Sequence, residues 1–217
     1  MPAQPTLTDL VDRALSLVAN DERVIVGIAG PPGAGKTTLA RALCATINER
    51  SDGPRAVHVP MDGFHLANAQ LRDQGLRERK GAVETFDGWG FAALLRRIHF
   101  ERNHTVYAPT FVRSVDEPIA GSLAITPGIE LVIVEGNYLL LDAEPWSTTH
   151  EHFAETWFVD TPEDSRVRRL IDRHTRHGRT FDDATAWTFQ VDFANALKIE
   201  HSRSRADLIV SGTIVEL

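Results

Sequence analysis

The stretch that decides the fold reads Val24-Ile25-Val26-Gly27-Ile28-Ala29-Gly30-Pro31-Pro32-Gly33-Ala34-Gly35-Lys36-Thr37. Residues 24–29 are apolar and rich in branched side chains, which is typical of a buried strand. Residues 30–37 match the pattern G-x-x-x-x-G-K-[ST] in full, and a helical pattern follows them. Glycines let successive backbone N–H groups point at one anion, and the helix adds the positive end of its dipole. The stretch therefore predicts a phosphate-binding loop (P-loop) between a strand and a helix.

The side chains of this loop have predictable roles. Lys36 is expected to contact the β- and γ-phosphates of a nucleotide, and the Thr37 hydroxyl is expected to ligate Mg²⁺. The alternative is a Gly/Pro turn that carries a lysine by chance, and the strand-loop-helix context disfavours it. The predicted phosphate-binding residues are Gly30, Gly33, Ala34, Gly35, Lys36, Thr37 and Thr38.

Composition and charge limit the classes of function. The 217 residues are 42% hydrophobic, enough for one sizeable core, so we expect a single domain over residues 1–217. A net charge of −7 argues against broad binding to nucleic acid or anionic membranes, which needs a positive field. No apolar run approaches transmembrane length, and the N-terminus does not resemble a secretion signal. The single cysteine, Cys44, suits a reducing cytoplasm, where we expect the protein.

Strand-like and helix-like patterns alternate along the rest of the chain. Further strand patterns are 56–59, 131–134, 156–159 and 208–210, and helical patterns cover 6–18, 37–48, 89–99, 162–177 and 182–203. This alternation predicts an α/β fold of the P-loop NTPase type, with a doubly wound parallel sheet of about five strands. We assign residues 1–20 to an N-terminal helix, 103–126 to an inserted flap with a hairpin, 162–182 to an arginine-rich lid, and 72–81 to a mobile loop.

Two acids follow predicted strands. Asp62 comes at the end of the second strand, where it either accepts a proton from a substrate hydroxyl or caps the helix near Phe64. The sequence favours neither alternative. Glu135 directly follows the apolar run 131–134, in the Walker-B form, and predicts a second Mg²⁺ contact beside Thr37, direct or through water. A solvent-exposed acid at a strand end is the competing interpretation.

A stripe of arginines marks the predicted helix 162–177. At 100° per residue the stripe occupies one arc of about 80°. It predicts a lid that closes on the triphosphate and neutralises transition-state charge, while a solvated face with pairs such as Asp172 and Arg176 is the alternative. The stripe consists of Arg166, Arg169, Arg173 and Arg176.

The combination of motifs resembles the P-loop kinases that include uridine kinase, phosphoribulokinase and bacterial-type pantothenate kinase. The resemblance covers most of the chain from Val24 to Val210. It is closest to a branch labelled nucleoside/nucleotide kinase or fructose-transport-system kinase. The motifs that carry it are residues 30–37, Pro60-Met61-Asp62-Gly63-Phe64-His65, Glu84-Thr85-Phe86-Asp87, Glu135-Gly136-Asn137-Tyr138-Leu139-Leu140, Arg176-His177-Gly178-Arg179 and Arg205-Ala206-Asp207-Leu208-Ile209-Val210.

The resemblance implies roles for several residues. It implies ATP as phosphate donor, Mg²⁺, and a small-molecule substrate, and it is compatible with a homodimer. Asp62 falls where the family keeps its catalytic acid, Asp87 where uridine kinases bind ribose hydroxyls, and Arg166 resembles a substrate-side arginine. Lid arginines are implied at Arg169, Arg173, Arg176 and Arg179.

The flap departs from the uridine kinase pattern. Phe111 stands near the position of a pyrimidine-reading tyrosine, and Asp116 near that of a histidine. A pair of Arg113 and Asp116 suits a polyhydroxylated or carboxylate-bearing substrate, or is simply an ion pair within the flap. His65 and Asn68 face the acceptor or are ordinary surface residues.

We therefore expect an ATP-dependent kinase that phosphorylates a hydroxyl of a nucleoside, sugar or pantothenate-like metabolite. Asp62, Lys36, Arg169 and Arg173 are the expected catalytic residues. The expected substrate contacts are Asp62, Asp87, Arg113 and Arg166, and Arg176 joins the nucleotide contacts. The alternative is a nucleotide-switched regulatory or chaperone protein, but the sequence has no guanine-reading Asn/Thr-Lys-x-Asp segment.

Overall fold

A five-stranded parallel sheet forms the centre of the structure, a computed structural model that describes residues 4–18 and 22–215. The strands in chain order are β1 (Val24–Ala29), β2 (Ala56–Pro60), β3 (Val106–Val112), β4 (Glu117–Ile125), β5 (Leu131–Glu135), β6 (Glu155–Asp160) and β7 (Leu208–Ser211). The sheet has the order β2-β5-β1-β6-β7, and every pairing in it is parallel. The predicted sheet is confirmed. Because β1 has later strands on both sides, the loop after it opens at a switch point, where ligands of such sheets bind.

Helices cover both faces of the sheet. They are α1 (Leu7–Ser16), α2 (Lys36–Glu49), α3 (Asn68–Asp73), α4 (Gly88–Phe100), α5 (Glu163–Arg176), α6 (Phe181–Trp187) and α7 (Phe193–Glu200). Alternate residues of β1 point to opposite faces, so Val26 packs with α1 and α2 while Ile25 packs with α4. Within the described ranges, no helix is long and apolar enough to cross a membrane.

The N-terminal helix begins where its sequence provides a cap. Thr6 accepts a hydrogen bond from the backbone N–H of Asp9, and the Asp9 carboxylate accepts one from the backbone N–H of Thr6. Residues 1–3 and 19–20 of the predicted N-terminal region lie outside the described residues.

The flap contains the predicted hairpin, since β3 and β4 pair antiparallel. It packs on a 3₁₀ turn, Met61–Phe64, that follows β2. The two backbones lie so close that a Cβ on Gly63 would sit 2.2 Å from the carbonyl oxygen of Pro109. The hairpin is therefore held directly above the turn that carries Asp62.

Two segments differ from the sequence-based prediction. The predicted helix 182–203 is divided by a π-helical segment, Thr188–Asp192, between α6 and α7. The Thr188 hydroxyl donates to the carbonyl oxygen of Ala184, a bond from side chain to backbone that accompanies local distortion of a helix. The predicted mobile loop 72–81 contains the end of α3 and a 3₁₀ turn, Arg77–Arg79, because Arg77 and Lys80 bind the hairpin.

Candidate active site

A cavity of about 720 Å³ lies beyond the carboxyl ends of β1, β2 and β5. Its floor is the P-loop and the first turn of α2, and its walls are the turn after β2, the hairpin and α5. The cavity brings together distant parts of the chain, because the carboxyl ends of the parallel strands meet at one edge of the sheet. The expected catalytic, nucleotide, substrate and magnesium contacts that line it are Gly33, Gly35, Lys36, Thr37, Thr38, Asp62, Arg113, Glu135, Arg169 and Arg173.

The P-loop has the conformation that its glycines permit. Gly33 and Gly35 have φ values of 77° and 103°, in the left-handed region that other residues rarely adopt. Gly30 and Ala34 are buried residues of the loop and do not line the cavity. They therefore shape the loop and do not face the cavity.

Lys36 is buried at the base of the cavity. Its Nζ donates to the carbonyl oxygen of Pro31 at 3.0 Å and to Oδ1 of Asn137 at 2.7 Å. Burial lowers the pKa of Lys36 to about 8, although the nearby carboxylates of Glu135 and Asp62 oppose this shift. Asn137 lay in a motif of the family resemblance but had no assigned role. Its place just after the strand-end acid is the signal that could have found it.

Glu135 and Thr37 form the candidate magnesium contact. The Thr37 hydroxyl donates to Oε1 of Glu135 at 3.0 Å, and Nε2 of His58 lies 3.5 Å from the same oxygen. Burial alone would raise the pKa of Glu135, but His58, Lys36 and Thr37 together lower it, so the carboxylate stays ionised. His58 was missed, because a histidine between Val57 and Val59 in a strand carries no signal in the sequence.

Mg²⁺ fits this pair, because a hydroxyl and a carboxylate are hard oxygen ligands beside the phosphate cradle. Among residues 4–18 and 22–215, no cluster of three His, Cys, Asp or Glu side chains forms a metal site. The ion would therefore take its remaining ligands from phosphate oxygens and water, as is usual for Mg²⁺.

Asp62 faces the cavity with its side chain 38% exposed. Pro60 is the N-cap of the 3₁₀ turn, and no side chain caps it, so the alternative role of Asp62 as a helix cap is not observed. The nearest cation to its carboxylate in the described chain is Arg113, with Nη2 at 4.0 Å from Oδ2. The acid is thus accessible from the cavity.

His65 lies against two aromatic rings beside Asp62. Its ring centroid is 4.0 Å from that of Phe86 and 4.9 Å from that of Phe111, and its Nδ1 lies 2.9 Å from the carbonyl oxygen of Asp62. Burial lowers the pKa of His65, with the Asp62 charge opposing, so we expect a neutral ring at pH 7. His65 faces the cavity, and Asn68 does not.

The arginine helix places its residues differently from one another. Arg169 donates to the carbonyl oxygens of Gly33 at 3.3 Å and Gly212 at 3.4 Å, and Arg173 also lines the cavity. Burial lowers the pKa of Arg173, while Asp192 opposes this shift.

Beyond α5, the guanidinium of Arg179 stacks on the ring of Trp187, with its central carbon 3.8 Å from the ring centroid. Both residues line the cavity. Arg179 belongs to the predicted lid region 162–182, and Trp187 lies just beyond that region at the end of α6.

Three side chains with expected contacts do not reach the cavity, in addition to Gly30 and Ala34 of the loop. Arg166 is buried, and its Nε donates to the carbonyl oxygen of Thr161 at 3.2 Å. Its own backbone packs against Gly33. Arg176 is exposed and pairs with Asp172 one turn earlier, which is the alternative that the sequence offered.

Asp87, the third, is exposed and caps α4. It accepts from the backbone N–H of Gly90 at 2.8 Å and does not line the cavity. The demand of the helix for an N-cap explains this aspartate better than a sugar hydroxyl does.

The predicted pair of Arg113 and Asp116 is not formed. Asp116 binds Nη2 of Arg77 at 2.9 Å and Nζ of Lys80 at 3.1 Å instead. The sequence could not show this, because residues 77 and 80 lie in the segment 72–81 that was predicted as a mobile loop.

Comparisons with known proteins show the family to which the chain belongs. Residues 25–215 match the model of the Phosphoribulokinase / Uridine kinase family. The chain is 30% identical over 215 residues to "Putative uridine kinase C227.14" of Schizosaccharomyces pombe (strain 972 / ATCC 24843), covering 96% of this chain and 92% of that protein. It is 34% identical over 200 residues to "Uncharacterized protein YggC" of Escherichia coli (strain K12), covering 92% and 82%.

A solved structure is also similar over nearly its whole length. The crystal structure of a "putative fructose transport system kinase" from Silicibacter sp. TM1040 matches with a TM-score of 0.86 and 38% identity, covering 94% of this chain and 98% of that chain. Since the family model spans most of the chain, this protein is a kinase that belongs to the phosphoribulokinase/uridine kinase family.

Proposed function

We propose that the protein transfers the γ-phosphoryl group of ATP to a hydroxyl group of a small metabolite, with Asp62 as the general base. The observation that supports this most directly is the accessible Asp62 carboxylate in the same cavity as Lys36 and Thr37. A kinase of this kind needs a carboxylate that accepts the proton of the acceptor hydroxyl while the oxygen attacks the γ-phosphorus.

The chemical step balances without another reactant. The acceptor oxygen forms a bond to the γ-phosphorus, the bond between that phosphorus and the β,γ-bridging oxygen breaks, and ADP leaves. The hydroxyl proton passes to Asp62. Burial lowers the pKa of Lys36, and the negative charge of the bound phosphates would stabilise its protonated form.

Thr37 and Glu135 would hold Mg²⁺, which would neutralise phosphate charge when bound. Arg173 and Arg179 supply further positive charge from the side of α5. Closure of this side would exclude water, so that transfer competes with hydrolysis.

Two substitutions test the proposal. Asp62→Asn should reduce kcat by about 10²- to 10⁴-fold, the usual contribution of a general base, while the Kd for ATP changes little. Lys36→Ala should weaken both ATP binding and turnover. Asp73→Asn, an exposed acid on α3 outside the cavity, is the matched control and should behave as wild type.

A screen of ADP release over nucleosides, hexoses, pentoses, hydroxy acids and pantothenate should identify the acceptor. The mass of the product then identifies the phosphorylated hydroxyl. Near wild-type turnover by Asp62→Asn on the best acceptor would exclude the proposed base.

A further inference from the structure

We propose that the acceptor carries an anionic group, a carboxylate or a phosphate monoester, which binds to Arg113 with help from Arg77. This proposal rests on the phosphotransfer proposed above and specifies its substrate class. The acceptor end of the cavity is formed by His65, Arg77, Lys80, Phe111, Arg113 and Asp116.

The acid of this end is already neutralised. Asp116 binds Arg77 and Lys80, and its Oδ2 also accepts from Nδ2 of Asn68 at 3.3 Å. Its φ of 53° is rare outside glycine, so the hairpin turn holds the residue in a defined conformation. A substrate hydroxyl would have to displace these partners to bind Asp116, which makes it a poor sugar-binding acid.

The ammonium group of Lys80 also has partners within the protein. Its side chain is 7% exposed, and its Nζ contacts Oδ1 of Asn68 at 2.7 Å and the carbonyl oxygen of Asp116 at 2.5 Å, besides the Asp116 carboxylate. All three ammonium donors therefore have partners. Lys80 and Arg77 share the Asp116 carboxylate, with Arg77 Nη2 at 2.9 Å and Lys80 Nζ at 3.1 Å from Oδ2, and Arg77 also lines the cavity.

Arg113 has the opposite character. Its side chain is 48% exposed, it lines the cavity, and no described residue accepts a hydrogen bond from its guanidinium. The nearest described carboxylate is Asp62 at 4.0 Å, beyond hydrogen-bonding distance.

In the lining of this end, three cations face only two carboxylates. The positive charges belong to Arg77, Lys80 and Arg113, and the negative charges of the lining belong to Asp62 and Asp116. The other acids of the cavity are occupied elsewhere, Glu135 by Thr37 and Asp192 by Nε2 of His174 at 2.7 Å. Outside the lining, Glu117 adds a third carboxylate near Lys80, where it accepts from the backbone N–H of Asn68 at 3.0 Å. Arg113 is therefore the cation of this end whose guanidinium has no hydrogen-bonded partner among the described residues.

An anionic group suits this arrangement better than a neutral polyol. A guanidinium binds a carboxylate or phosphate through two parallel hydrogen bonds, and these charge-assisted bonds are stronger than those to a hydroxyl. Because Arg113 lies close to Asp62, a substrate that reaches both has its reactive hydroxyl a few bonds from its acidic group. Phe111 and the neutral ring of His65 offer an apolar surface to the carbon chain between them.

The test compares matched acceptors in the ADP-release assay. Hydroxy acids and sugar acids form one arm, sugar phosphates the second, and the corresponding neutral sugars and nucleosides the third. We expect an acid or a phosphate to be phosphorylated with a kcat/KM about ten- to a hundredfold above its neutral counterpart, the effect of a hydrogen bond to a charged group. The first two arms distinguish a carboxylate from a phosphate.

Variants then assign the effect to Arg113. Arg113→Ala should raise the KM of the anionic acceptor about ten- to a hundredfold and leave the KM of ATP unchanged, while Arg113→Lys recovers part of the loss. Arg77→Ala should show a smaller rise in the same parameter. Arg97→Ala is the matched control, because it removes an exposed arginine of α4 that pairs with Glu101.

Each failure has a separate meaning. A neutral acceptor as the best substrate, with a KM unaffected by Arg113→Ala, overturns the anionic class and leaves phosphotransfer intact. An equal fall in kcat for all acceptors, with weaker ATP binding, would place Arg113 on the γ-phosphate and also overturn it. Absence of any phosphorylated product contradicts the proposed function itself.

Discussion

Gly63 links the catalytic geometry to the packing of the hairpin. A Cβ at this position would lie 2.2 Å from the carbonyl oxygen of Pro109, whose backbone cannot move without shifting β3. The adjacent Asp62 and the hairpin residue Arg113 are therefore fixed relative to each other by this contact. A single residue without a side chain sets the distance between the proposed base and the proposed anion site.

Gly63→Ala should therefore damage both stability and acceptor binding. Overpacking of this kind costs about 1–3 kcal/mol of unfolding free energy, measurable by denaturant titration. We expect kcat/KM for the acceptor to fall while the Kd for ATP changes little, because the P-loop is not displaced. Gly53→Ala is the control, since no heavy atom lies within 4 Å of its Cβ position. Equal effects of the two substitutions would contradict the close packing.

At the level of elements, α5, α6 and the π-helical segment build the wall opposite the hairpin. Trp187 is the last residue of α6, and Arg179 stacks on it from the turn after α5. π-helical segments inside helices occur frequently at functional sites, and this one begins next to Trp187 and ends at the cavity residue Asp192.

Trp187 should report nucleotide binding. If Arg179 turns toward the phosphates, its stack on Trp187 changes and the emission intensity changes with it. Trp187→Phe should remove the fluorescence response to Mg-ATP. Trp89→Phe should retain the response, because Trp89 is 60% exposed on α4 and does not line the cavity. A full response in Trp187→Phe would mean that this wall does not sense the nucleotide.

The same elements show how far sequence reasoning reaches. The strands of the sheet and the P-loop were predictable, because an apolar run bounded by glycine and proline has few other interpretations. The arginine stripe was predicted less well, because helical periodicity shows which side of a helix a residue lies on but not which group its side chain contacts. Arg173 turns to the cavity, while Arg176 turns to Asp172 and Arg166 to the backbone.

Contacts between distant segments were beyond the sequence. The role of Arg77 and Lys80 depends on Asp116, which lies in the hairpin. The alternation of apolar residues in β2 gave no indication that His58 would meet Glu135 across neighbouring strands. Such pairings follow from strand order and register, which are properties of the assembled fold.

At the scale of the whole molecule, the protein has a negative net charge and a cavity lined mainly by cationic side chains. Its net charge is −7, yet cationic side chains outnumber carboxylates in the cavity lining. An acidic exterior disfavours extended polyanions, while the enclosed cations favour a small one. The cationic residues of the lining are Lys36, Arg41, Arg77, Lys80, Arg113, Arg169, Arg173 and Arg179, and the carboxylates are Asp62, Asp116, Glu135 and Asp192.

Global stability should therefore depend on the nucleotide and on the ion. A ligand that binds only the folded state adds about 2.7 kcal/mol at about a hundred times its Kd, so ATP with Mg²⁺ should raise Tm. Glu135→Gln keeps the size of the side chain and its bond with Thr37 but removes the charge. We expect it to retain the rise in Tm with ATP alone and to lose the additional rise with Mg²⁺, whereas Asp73→Asn keeps both. Thermal unfolding without an acceptor measures this independently of activity, and an unchanged magnesium-dependent rise in Glu135→Gln would exclude Glu135 as the magnesium contact.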